Sequence, residues 1–375
     1  MPEHPVPHDV PVGAPLPRIA GLRVRAVDVP VVPPVQTAAG AVGSAPLVLL
    51  DLHTDLGFTG SAYVFTYTPA ALLPVATLVA NIEPLLQGQK LAPRTLSRML
   101  LARFRLLGHQ GLVGLALSLI DMAAWDAHAR ALGVPLWCAL GAAEGEGTPA
   151  YASMRGITAH ELSQEAEAAM QAGFAAVKFK VGHAGLEQEL EVLKAVRAVV
   201  GDGVRIMMDY NQALTVPEAV RRARALDEQG VFWIEEPVRA DDYEGHALVA
   251  RETRAAIQVG ENYWGPHEAA RSLAAKASDL LMPDLMKIGG VTGWLETAAL
   301  AAAAGTPVSS HLFIEYSAHV MAATSLRQYV EYLDLAGPIL ASGTPELAQG
   351  VITPTRGPGA GLEWNEDAVR RYAVS

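Results

Sequence analysis

The spacing of apolar residues separates two kinds of structure along the chain. From residue 23 to about residue 63, short apolar runs alternate with Gly and Pro breaks, which predicts a small antiparallel sheet. The next segments place apolar residues three and four positions apart and predict helices over residues 69–86, 92–107 and 112–132. This first part of the chain therefore indicates an α+β domain.

Beyond Tyr151 a different unit repeats, in which an apolar run is followed by a polar loop and an Ala-rich amphipathic segment. This alternation is typical of parallel strands joined by crossover helices. Eight runs are predicted as strands, which is the number that closes a (β/α)8, TIM-like barrel: residues 150–153, 176–181, 205–208, 231–234, 256–259, 280–282, 307–309 and 328–330. A doubly wound open sheet is the alternative fold.

These patterns divide the chain into four parts. Residues 1–20 are rich in proline and lack the apolar region of a signal peptide, which predicts a flexible arm. We expect residues 21–148 to form an N-terminal α+β capping domain and residues 149–346 to form the barrel. Residues 347–375 are expected to return to the cap and complete it.

Composition narrows the classes of function. The 375 residues are 51% hydrophobic and carry a formal net charge of −11, which disfavours binding to nucleic acid or anionic lipid. The most apolar stretches are too short to cross a bilayer, so we expect no membrane insertion. The single cysteine, Cys138, excludes an intrachain disulfide and fits a cytoplasmic protein; its apolar neighbours predict a buried thiol.

Polar residues that suit catalysis recur with the barrel unit. Each lies at or just past the end of a predicted strand, where barrel enzymes place their active sites: Lys178 and Lys180, Asp209 and Asn211, Glu235, Glu261, Asp284, His311 and Glu331. One such residue is ordinarily a solvated loop residue or a helix cap. Seven consecutive strands that all end in this way are hard to explain by capping, so the pattern predicts one active site.

Three of these residues are carboxylates at the ends of the third, fourth and fifth strands, namely Asp209, Glu235 and Glu261. Carboxylates that converge without a counter-ion repel one another, so we expect a bound cation. Ligation by oxygen alone favours Mg²⁺ over Zn²⁺, with Mn²⁺ as a substitute. Salt bridges to lysines and arginines of the barrel are the alternative explanation.

Two candidate bases accompany this metal site. Lys178 and Lys180 face the same side of one strand, so their like charges should depress each other's pKa until one serves as a base. Asp284 and His311 end neighbouring strands, and the carboxylate would orient the imidazole and raise its basicity. Glu331 is expected to be a neutral carboxylic acid that donates a hydrogen bond to a developing oxyanion.

Together these groups predict abstraction of the proton next to the carboxylate of a small molecule, through an enediolate. The metal and Lys178 would neutralise the substrate carboxylate, and the metal and Glu331 would hold the enediolate. Bases on both faces predict racemisation, whereas a leaving group on the β-carbon would be eliminated as water. A barrel that binds metal without turnover is a third alternative.

Seven longer motifs surround these residues: Val177-Lys178-Phe179-Lys180, Met208-Asp209-Tyr210-Asn211-Gln212, Trp233-Ile234-Glu235-Glu236-Pro237, Gly260-Glu261-Asn262, Met282-Pro283-Asp284-Leu285-Met286-Lys287-Ile288-Gly289-Gly290, Ser309-Ser310-His311-Leu312-Phe313 and Val330-Glu331-Tyr332-Leu333-Asp334. Through them the chain resembles the mandelate racemase subgroup of the enolase superfamily, from about Gly21 to its end. Members of that family are usually homo-oligomers, often octamers. An aspartate at position 284 differs from the muconate-cycloisomerase and dipeptide-epimerase relatives, which have a lysine base at the end of the sixth strand.

The resemblance implies a role for each candidate residue. The Mg²⁺ ligands would be Asp209, Glu235 and Glu261. Lys180 would remove the proton from the (S) enantiomer, and His311, paired with Asp284, would remove it from the (R) enantiomer. Lys178 and Glu331 would contact the substrate carboxylate, and Ser153 and Asn211 would make auxiliary contacts. The resemblance also implies that a loop of the cap, residues 34–45, closes over the substrate, with Val35 and Val42 as apolar contacts.

The chain departs from the family pattern where specificity is set. Met154 and Arg155 follow the serine of the first strand, where the family has His and Ser. If the Arg155 guanidinium enters the pocket, a second carboxylate or a polyol would suit it. If it points away, an aryl 2-hydroxy acid is the natural substrate, because apolar side chains would line the pocket: Val35, Val42, Tyr67, Leu312 and Leu333.

Overall fold

The computed structural model describes residues 16–37, 40–182 and 185–374. The chain forms an N-terminal cap, a closed barrel and a C-terminal segment that contacts both. Most of the predicted arm lies outside the described residues, and the first strand begins at Ile19.

The cap consists of an antiparallel sheet followed by helices. Its three strands pair in chain order: β1 Ile19–Thr37, β2 Gly40–Thr54 and β3 Thr59–Phe65. The helices are α1 Pro69–Leu86, α2 Pro93–Phe104, α3 Gly111–Leu132 and α4 Leu136–Ala139. Thr68 caps α1 with its side chain, and Gly133 ends α3 in the left-handed conformation with φ of 68°. The long helices thus lie within three residues of their predicted positions.

Helix α3 is the core helix of the cap. Residues 114–127 are buried without interruption, because the sheet covers one side of the helix and the barrel covers another. Strand β3 approaches it so closely that a Cβ atom on Gly60 would lie 2.0 Å from the carbonyl oxygen of Ala123. Only glycine permits this contact between sheet and helix.

Eight parallel strands form the barrel in chain order, and pairing of the last with the first closes the ring. They are β4 Thr148–Ser153, β5 Ala176–Lys180, β6 Arg205–Asp209, β7 Val231–Glu235, β8 Ala256–Val259, β9 Leu280–Leu281, β10 Val308–Ser310 and β11 Arg327–Tyr332. The predicted (β/α)8 barrel is confirmed, and the open sheet is excluded. Aromatic and sulfur-containing side chains fill its interior below the site, among them Tyr151, Met207, Trp233 and Met282.

Helices cross between the barrel strands. They are α5 Ala159–Gln171, α6 Leu186–Val200, α7 Val216–Leu226, α8 Tyr243–Glu252, α9 Pro266–Ala275, α10 Leu285–Ile288, α11 Gly290–Ala304 and α12 Ile314–Ala322. Helix α5 illustrates why they form: a capping box between Thr158 and Glu161 starts it, and Leu162, Ala166 and Ala169 make its buried stripe.

The C-terminal segment joins the two parts. It contains a 3-10 turn over Gly337–Ile339, β12 Leu340–Ser342, β13 Glu346–Ala348, β14 Val351–Thr353, β15 Glu363–Trp364 and α13 Glu366–Arg371. The hairpin of β13 and β14 extends the barrel sheet beside β4. Glu366 on α13 then binds Arg25 of β1 at 2.7 Å, so the end of the chain contacts the cap.

Cys138 on α4 is exposed, so the prediction of a buried thiol was wrong. The helix is only four residues long and buries Leu136 alone. Cys138 therefore lies on the outer side, although its sequence neighbours are apolar.

Within the described part of the chain, two helices are long and apolar enough to span a membrane by composition, Pro69–Leu86 and Gly111–Ala131. Of the apolar window in the second, 83% is buried inside the protein, as in a core helix. In the first the buried share is 28%, and its inward face packs on the cap with Leu72, Val75 and Val79. Both helices therefore bury apolar residues by packing within this protein.

Buried hydrogen bonds seat the cap on the barrel. Oδ2 of Asp121 on α3 accepts from the Thr292 hydroxyl of α11 at 2.6 Å, and the Tyr63 hydroxyl of β3 donates to Glu315 of α12 at 2.7 Å. Burial raises the pKa of both acids to about 7, although these hydrogen bonds lower it in part. The interface thus contains two carboxyl groups that keep their protons up to about pH 7.

We expect Asp121→Asn to change how stability depends on pH. Between the ordinary aspartate pKa of 3.8 and about 7, folding takes up a proton at Asp121, so this group lowers the free energy of unfolding as pH rises. The contribution of Asp121 to the free energy of unfolding falls by about 2–3 kcal/mol between pH 5 and pH 7. Asparagine does not titrate, so the variant does not lose this stability. The unfolding free energy of the variant relative to wild type, from urea unfolding, should rise by this amount.

Ser118→Ala on the same helix is the control, because it removes no titratable group and its effect should not depend on pH. The raised pKa is contradicted if the difference in unfolding free energy between Asp121→Asn and wild type is constant from pH 5 to pH 7. It is also contradicted if the variant becomes less stable relative to wild type as pH rises.

Candidate active site

Three carboxylates meet above the carboxyl ends of adjacent strands. Asp209 and Glu235 end β6 and β7 and are direct partners in the parallel register, while Glu261 follows β8. All three are buried, and one oxygen from each lies within 4.8 Å of the others. Oε2 of Glu261 is buried and accepts no hydrogen bond of good geometry from the described residues, although Nε2 of His311 lies 3.2 Å away. The residues present therefore fit a divalent metal ion held by oxygen ligands.

The charges of this cluster are strongly coupled. Burial raises the pKa of Glu235 well above its usual value, and repulsion from Asp209 and Glu261 adds to the effect despite the nearby Lys178. Burial also acts on Glu261, but His311 and the lysines outweigh it and lower the pKa of Glu261 to about 2. The cluster thus contains more negative charge than its own cations neutralise easily, which favours a metal ion.

Lys178 lies beneath the site and is almost completely buried. Its Nζ is 2.6 Å from Oε1 of Glu235, 3.0 Å from Oε1 of Glu331 and 3.8 Å from Oδ2 of Asp209. Burial alone would lower the pKa of this lysine, but the carboxylates outweigh burial and raise it well above the usual value. Lys178 therefore carries a fixed positive charge, in keeping with its predicted part in anion binding.

Lys180 is two residues further along β5 and lines the cavity above the cluster. Its Nζ donates to Oδ2 of Asp209 at 2.9 Å and to Oδ1 of Asn211 at 2.7 Å. The expected net lowering of the pKa of Lys180 by its paired lysine is not observed. Burial and Lys178 do lower the pKa of Lys180, but the attraction of Asp209 and Glu261 outweighs them and raises it.

His311 and Asp284 form the predicted pair on the other side of the barrel mouth. Nδ1 of His311 is 2.5 Å from Oδ2 of Asp284, whose Oδ1 accepts from the backbone N–H of Met286 and so caps α10. Nε2 of His311 is 3.2 Å from Oε2 of Glu261. Burial lowers the pKa of His311, but Glu261, Glu331 and Asp284 outweigh it and raise the pKa.

Glu331 does not have the charge state predicted from the sequence. It lies on β11 beside Lys178, and its Oε2 accepts from the backbone N–H of Leu312 at 3.3 Å. Burial alone raises the pKa of Glu331, but Lys178 and His311 outweigh burial and lower it. The lowered pKa favours the ionised form of Glu331, because Lys178 and His311 lie next to it.

Two residues near the cluster were not singled out from the sequence. Nδ2 of Asn262 donates to Oε2 of Glu236 at 2.7 Å and to Oε1 of Glu261 at 3.2 Å. Nζ of Lys287 donates to Oδ1 of Asn262 at 2.6 Å and lies 4.6 Å from the centre of the Tyr67 ring. These contacts orient Glu261. Both residues occur in the motifs that carry the family resemblance, but only the fold brings the loop after β8 against helix α10.

A cavity of about 490 Å³ opens between the cap and the barrel mouth. Its polar lining comes from the barrel and consists of Ser153, Lys180, Asn211, Glu261, His311 and Glu331. Its apolar lining comes from both parts and includes Val31, Val35, Val42, Phe65, Leu312, Leu333 and Leu335, with Tyr67 beside them. The structure therefore brings together the predicted bases and every predicted pocket residue except Arg155. Residues 38 and 39 of the predicted closing loop lie outside the described residues.

Arg155 points away from this cavity. Its Nη1 donates to the carbonyl oxygens of Val32 at 3.1 Å and of Pro33 at 3.3 Å, both in β1 of the cap. No arginine is among the described residues that line the cavity. The guanidinium therefore leaves the pocket without the positive charge that a second substrate carboxylate would need.

The chain matches two family descriptions over most of its length. Residues 19–141 match the mandelate racemase / muconate lactonizing enzyme N-terminal domain, and residues 161–368 match the enolase C-terminal domain-like family. A crystal structure of an enolase from Bradyrhizobium, complexed with magnesium and mandelic acid, is 43% identical with a TM-score of 0.92 and covers 96% of this chain and 99% of its own.

Other relatives have names that refer to acid sugars. The 3,6-anhydro-alpha-L-galactonate cycloisomerase of Streptomyces coelicolor is 29% identical over 89% of this chain and 93% of its own length. The structure of L-talarate/galactarate dehydratase from Salmonella typhimurium is 26% identical, with a TM-score of 0.89, and covers 96% of this chain and 93% of its own. From the closed barrel, the carboxylate cluster and these matches, the chain belongs to the mandelate racemase / muconate lactonizing enzyme family of the enolase superfamily.

Proposed function

We propose that this protein is a Mg²⁺-dependent racemase of 2-hydroxy acids whose distal group is apolar, such as mandelate. The proposal rests on one observation: the two candidate bases share a cavity with an apolar wall. A polyhydroxylated chain would leave hydroxyl groups unpaired against valine and leucine side chains, whereas an aryl group would bury apolar surface there. The Bradyrhizobium structure that contains mandelic acid supports this choice of substrate.

In this proposal the two bases act on opposite faces of one substrate. Lys180 ends β5 and His311 follows β10, and these strands lie three positions apart by the shorter way around the ring. Asp284 accepts from Nδ1 of His311, so Nε2 is the atom that takes or returns a proton. A proton removed by one base and replaced by the other inverts the α-carbon.

The remaining side chains bind and orient the substrate. Asp209, Glu235 and Glu261 would hold Mg²⁺, which supplies positive charge that stabilises the substrate carboxylate and lowers the pKa of nearby lysines. Lys178 contributes a fixed charge from below, and Ser153 and Asn211 are placed to hydrogen-bond polar substrate atoms.

Dehydration of an acid sugar is the second candidate function. It is favoured by the names of the relatives, which include dehydratases and cycloisomerases that match most of the chain. The same bases would then remove the α-proton and assist departure of a β-hydroxyl group. The apolar wall and the outward direction of Arg155 disfavour dehydration of an acid sugar, because neither offers hydrogen bonds to a polyol or a distal carboxylate.

An assay of both reactions distinguishes these candidates. We expect Mg²⁺-dependent loss of optical rotation with (R)- and (S)-mandelate, and weaker activity with 2-hydroxy acids that carry a short alkyl group. A semicarbazide assay over a library of acid sugars detects the 2-keto product of dehydration. Dehydration of an acid sugar with no racemisation of aryl substrates would overturn the proposal, and an absence of both signals would favour the barrel without turnover.

Substitution of each base should affect one enantiomer. We expect His311→Asn to reduce exchange of the α-proton of (R)-mandelate with D₂O by about 10²–10⁴-fold, while exchange from (S)-mandelate persists through Lys180. Lys180→Arg should show the reverse. Proton NMR of each pure enantiomer measures the rates.

Arg254→Ala is the control, since this exposed arginine pairs with Glu228 at the opposite end of the barrel. Equal loss of exchange from both enantiomers in each variant would refute the assignment of two bases.

Asn262→Ala should weaken Mg²⁺ binding by about 10–100-fold, because Asn262 orients Glu236 and Glu261. Isothermal titration with MgCl₂ measures the dissociation constant. Asn81→Ala replaces an exposed asparagine of α1 and is the matched control, with unchanged affinity expected. Wild-type affinity in Asn262→Ala would show that the carboxylates keep their positions without it.

A further inference from the structure

Arg155 connects the barrel to the part of the cap that faces the substrate. It follows the cavity residue Ser153 by two positions and is half-buried. One nitrogen of its guanidinium, Nη1, donates to two successive carbonyl oxygens, those of Val32 and Pro33. A charged donor that binds two carbonyls makes a stronger contact than a neutral hydrogen bond.

The barrel end of this contact is firmly held. Oε2 of Glu165 on α5 accepts from the backbone N–H of Arg155 at 2.5 Å, and Oε1 accepts from the N–H of Gly156 at 2.8 Å. A Cβ atom on Gly156 would lie 2.6 Å from Cβ of Glu161, so the loop packs tightly on the start of α5. The backbone of Arg155 therefore has a defined position relative to the barrel strands.

The cap end of this contact is weakly held by its own sheet. Pairing between β1 and β2 is regular as far as Pro30 and Ser44 and resumes at Val35 and Val42, with an irregularity between. Within that interruption Val32 is 80% exposed, and Pro33 and Pro34 have no N–H to donate. The interrupted segment is thus held by the packing of Val31 and lacks the regular sheet pairing of the rest of β1.

The side chains on either side of this segment form the cavity wall. Val31 and Val35 are buried and line the cavity, and Val42 faces them from β2. A shift of the Val32 and Pro33 carbonyls would move both valines, because only a few bonds separate them. The contact with Arg155 therefore acts on the space available to the distal group of a substrate.

We propose that Arg155 is a positioning residue that sets the distance between the valine wall of the cap and the catalytic groups of the barrel, and so determines selectivity for the distal group. The choice of an aryl substrate as probe rests on the proposed function. The positional role itself concerns the contact between Arg155 and the cap, whatever the reaction.

The first experiment measures the cap directly. In hydrogen–deuterium exchange of the full chain with MgCl₂, we expect Arg155→Met to raise the exchange rate of peptides that cover residues 29–45 by about tenfold, because loss of a charge-assisted contact frees the segment. Arg155→Lys retains the positive charge and should show a smaller change. Arg254→Met, an exposed arginine elsewhere, is the matched control and should leave these peptides unchanged.

The second experiment measures kinetics. We expect Arg155→Met to raise KM for mandelate about tenfold while kcat stays within about threefold, since the wall binds the distal group and not the reacting atoms. Arg155→Lys should restore much of the loss. If Arg155→Met lowers both kcat and Tm substantially, Arg155 is a merely structural residue and the proposal is overturned.

The two experiments fail in different ways. Unchanged exchange over residues 29–45 in Arg155→Met overturns the positioning role whatever the substrate is. Loss of turnover confined to a hydroxy diacid would mean that Arg155 binds a substrate carboxylate, which also overturns it. If wild type does not racemise mandelate but the exchange effect is present, the proposed function fails and the positioning role stands.

Discussion

The structure depends on keeping several like charges together and out of water. Asp209, Glu235 and Glu261 are buried side by side, which is costly unless cations balance them. The parallel strands bring these charges close together, because the carboxylates and Lys178 all lie at the same end of a closed ring. The internal cations leave part of the repulsion uncompensated. That remainder makes the site receptive to a divalent ion and holds the neighbouring pKa values away from their ordinary range.

Chemistry and selectivity come from different parts of the fold. The barrel contributes the charged groups, and the cap contributes most of the apolar side chains that face them across the cavity. Relatives named for dehydration or cycloisomerisation match both parts, so the shared frame alone does not distinguish the reactions. The distinction lies in side chains that border the substrate, such as Val35, and in how the cap sits on the barrel. Buried contacts such as that between Asp121 and Thr292 maintain this seating.

The positions of elements and of strand-end residues were largely predictable from the sequence. Strands alternate with amphipathic segments, and a residue at the end of a strand keeps that place in the barrel, so Asp209 and Glu261 were found by position alone. Charge states were less predictable. The pKa of Lys180 is raised and that of Glu331 is lowered, each against expectation, because carboxylates and cations from other strands lie beside them. Cys138 was misassigned as buried because a four-residue helix has too little periodicity to show its buried side.

The sequence by itself determined the closed barrel, the cap and the set of residues around the cation site, because these follow from local periodicity and from the common direction of parallel strands. Only the tertiary structure decided where Arg155 points, since its guanidinium bonds to Val32 and Pro33, more than 120 residues earlier in the chain. The contact of Lys287 with Asn262 was decided in the same way. Such contacts join elements that are far apart in the chain, and their geometry depends on how those elements pack, which no local pattern records.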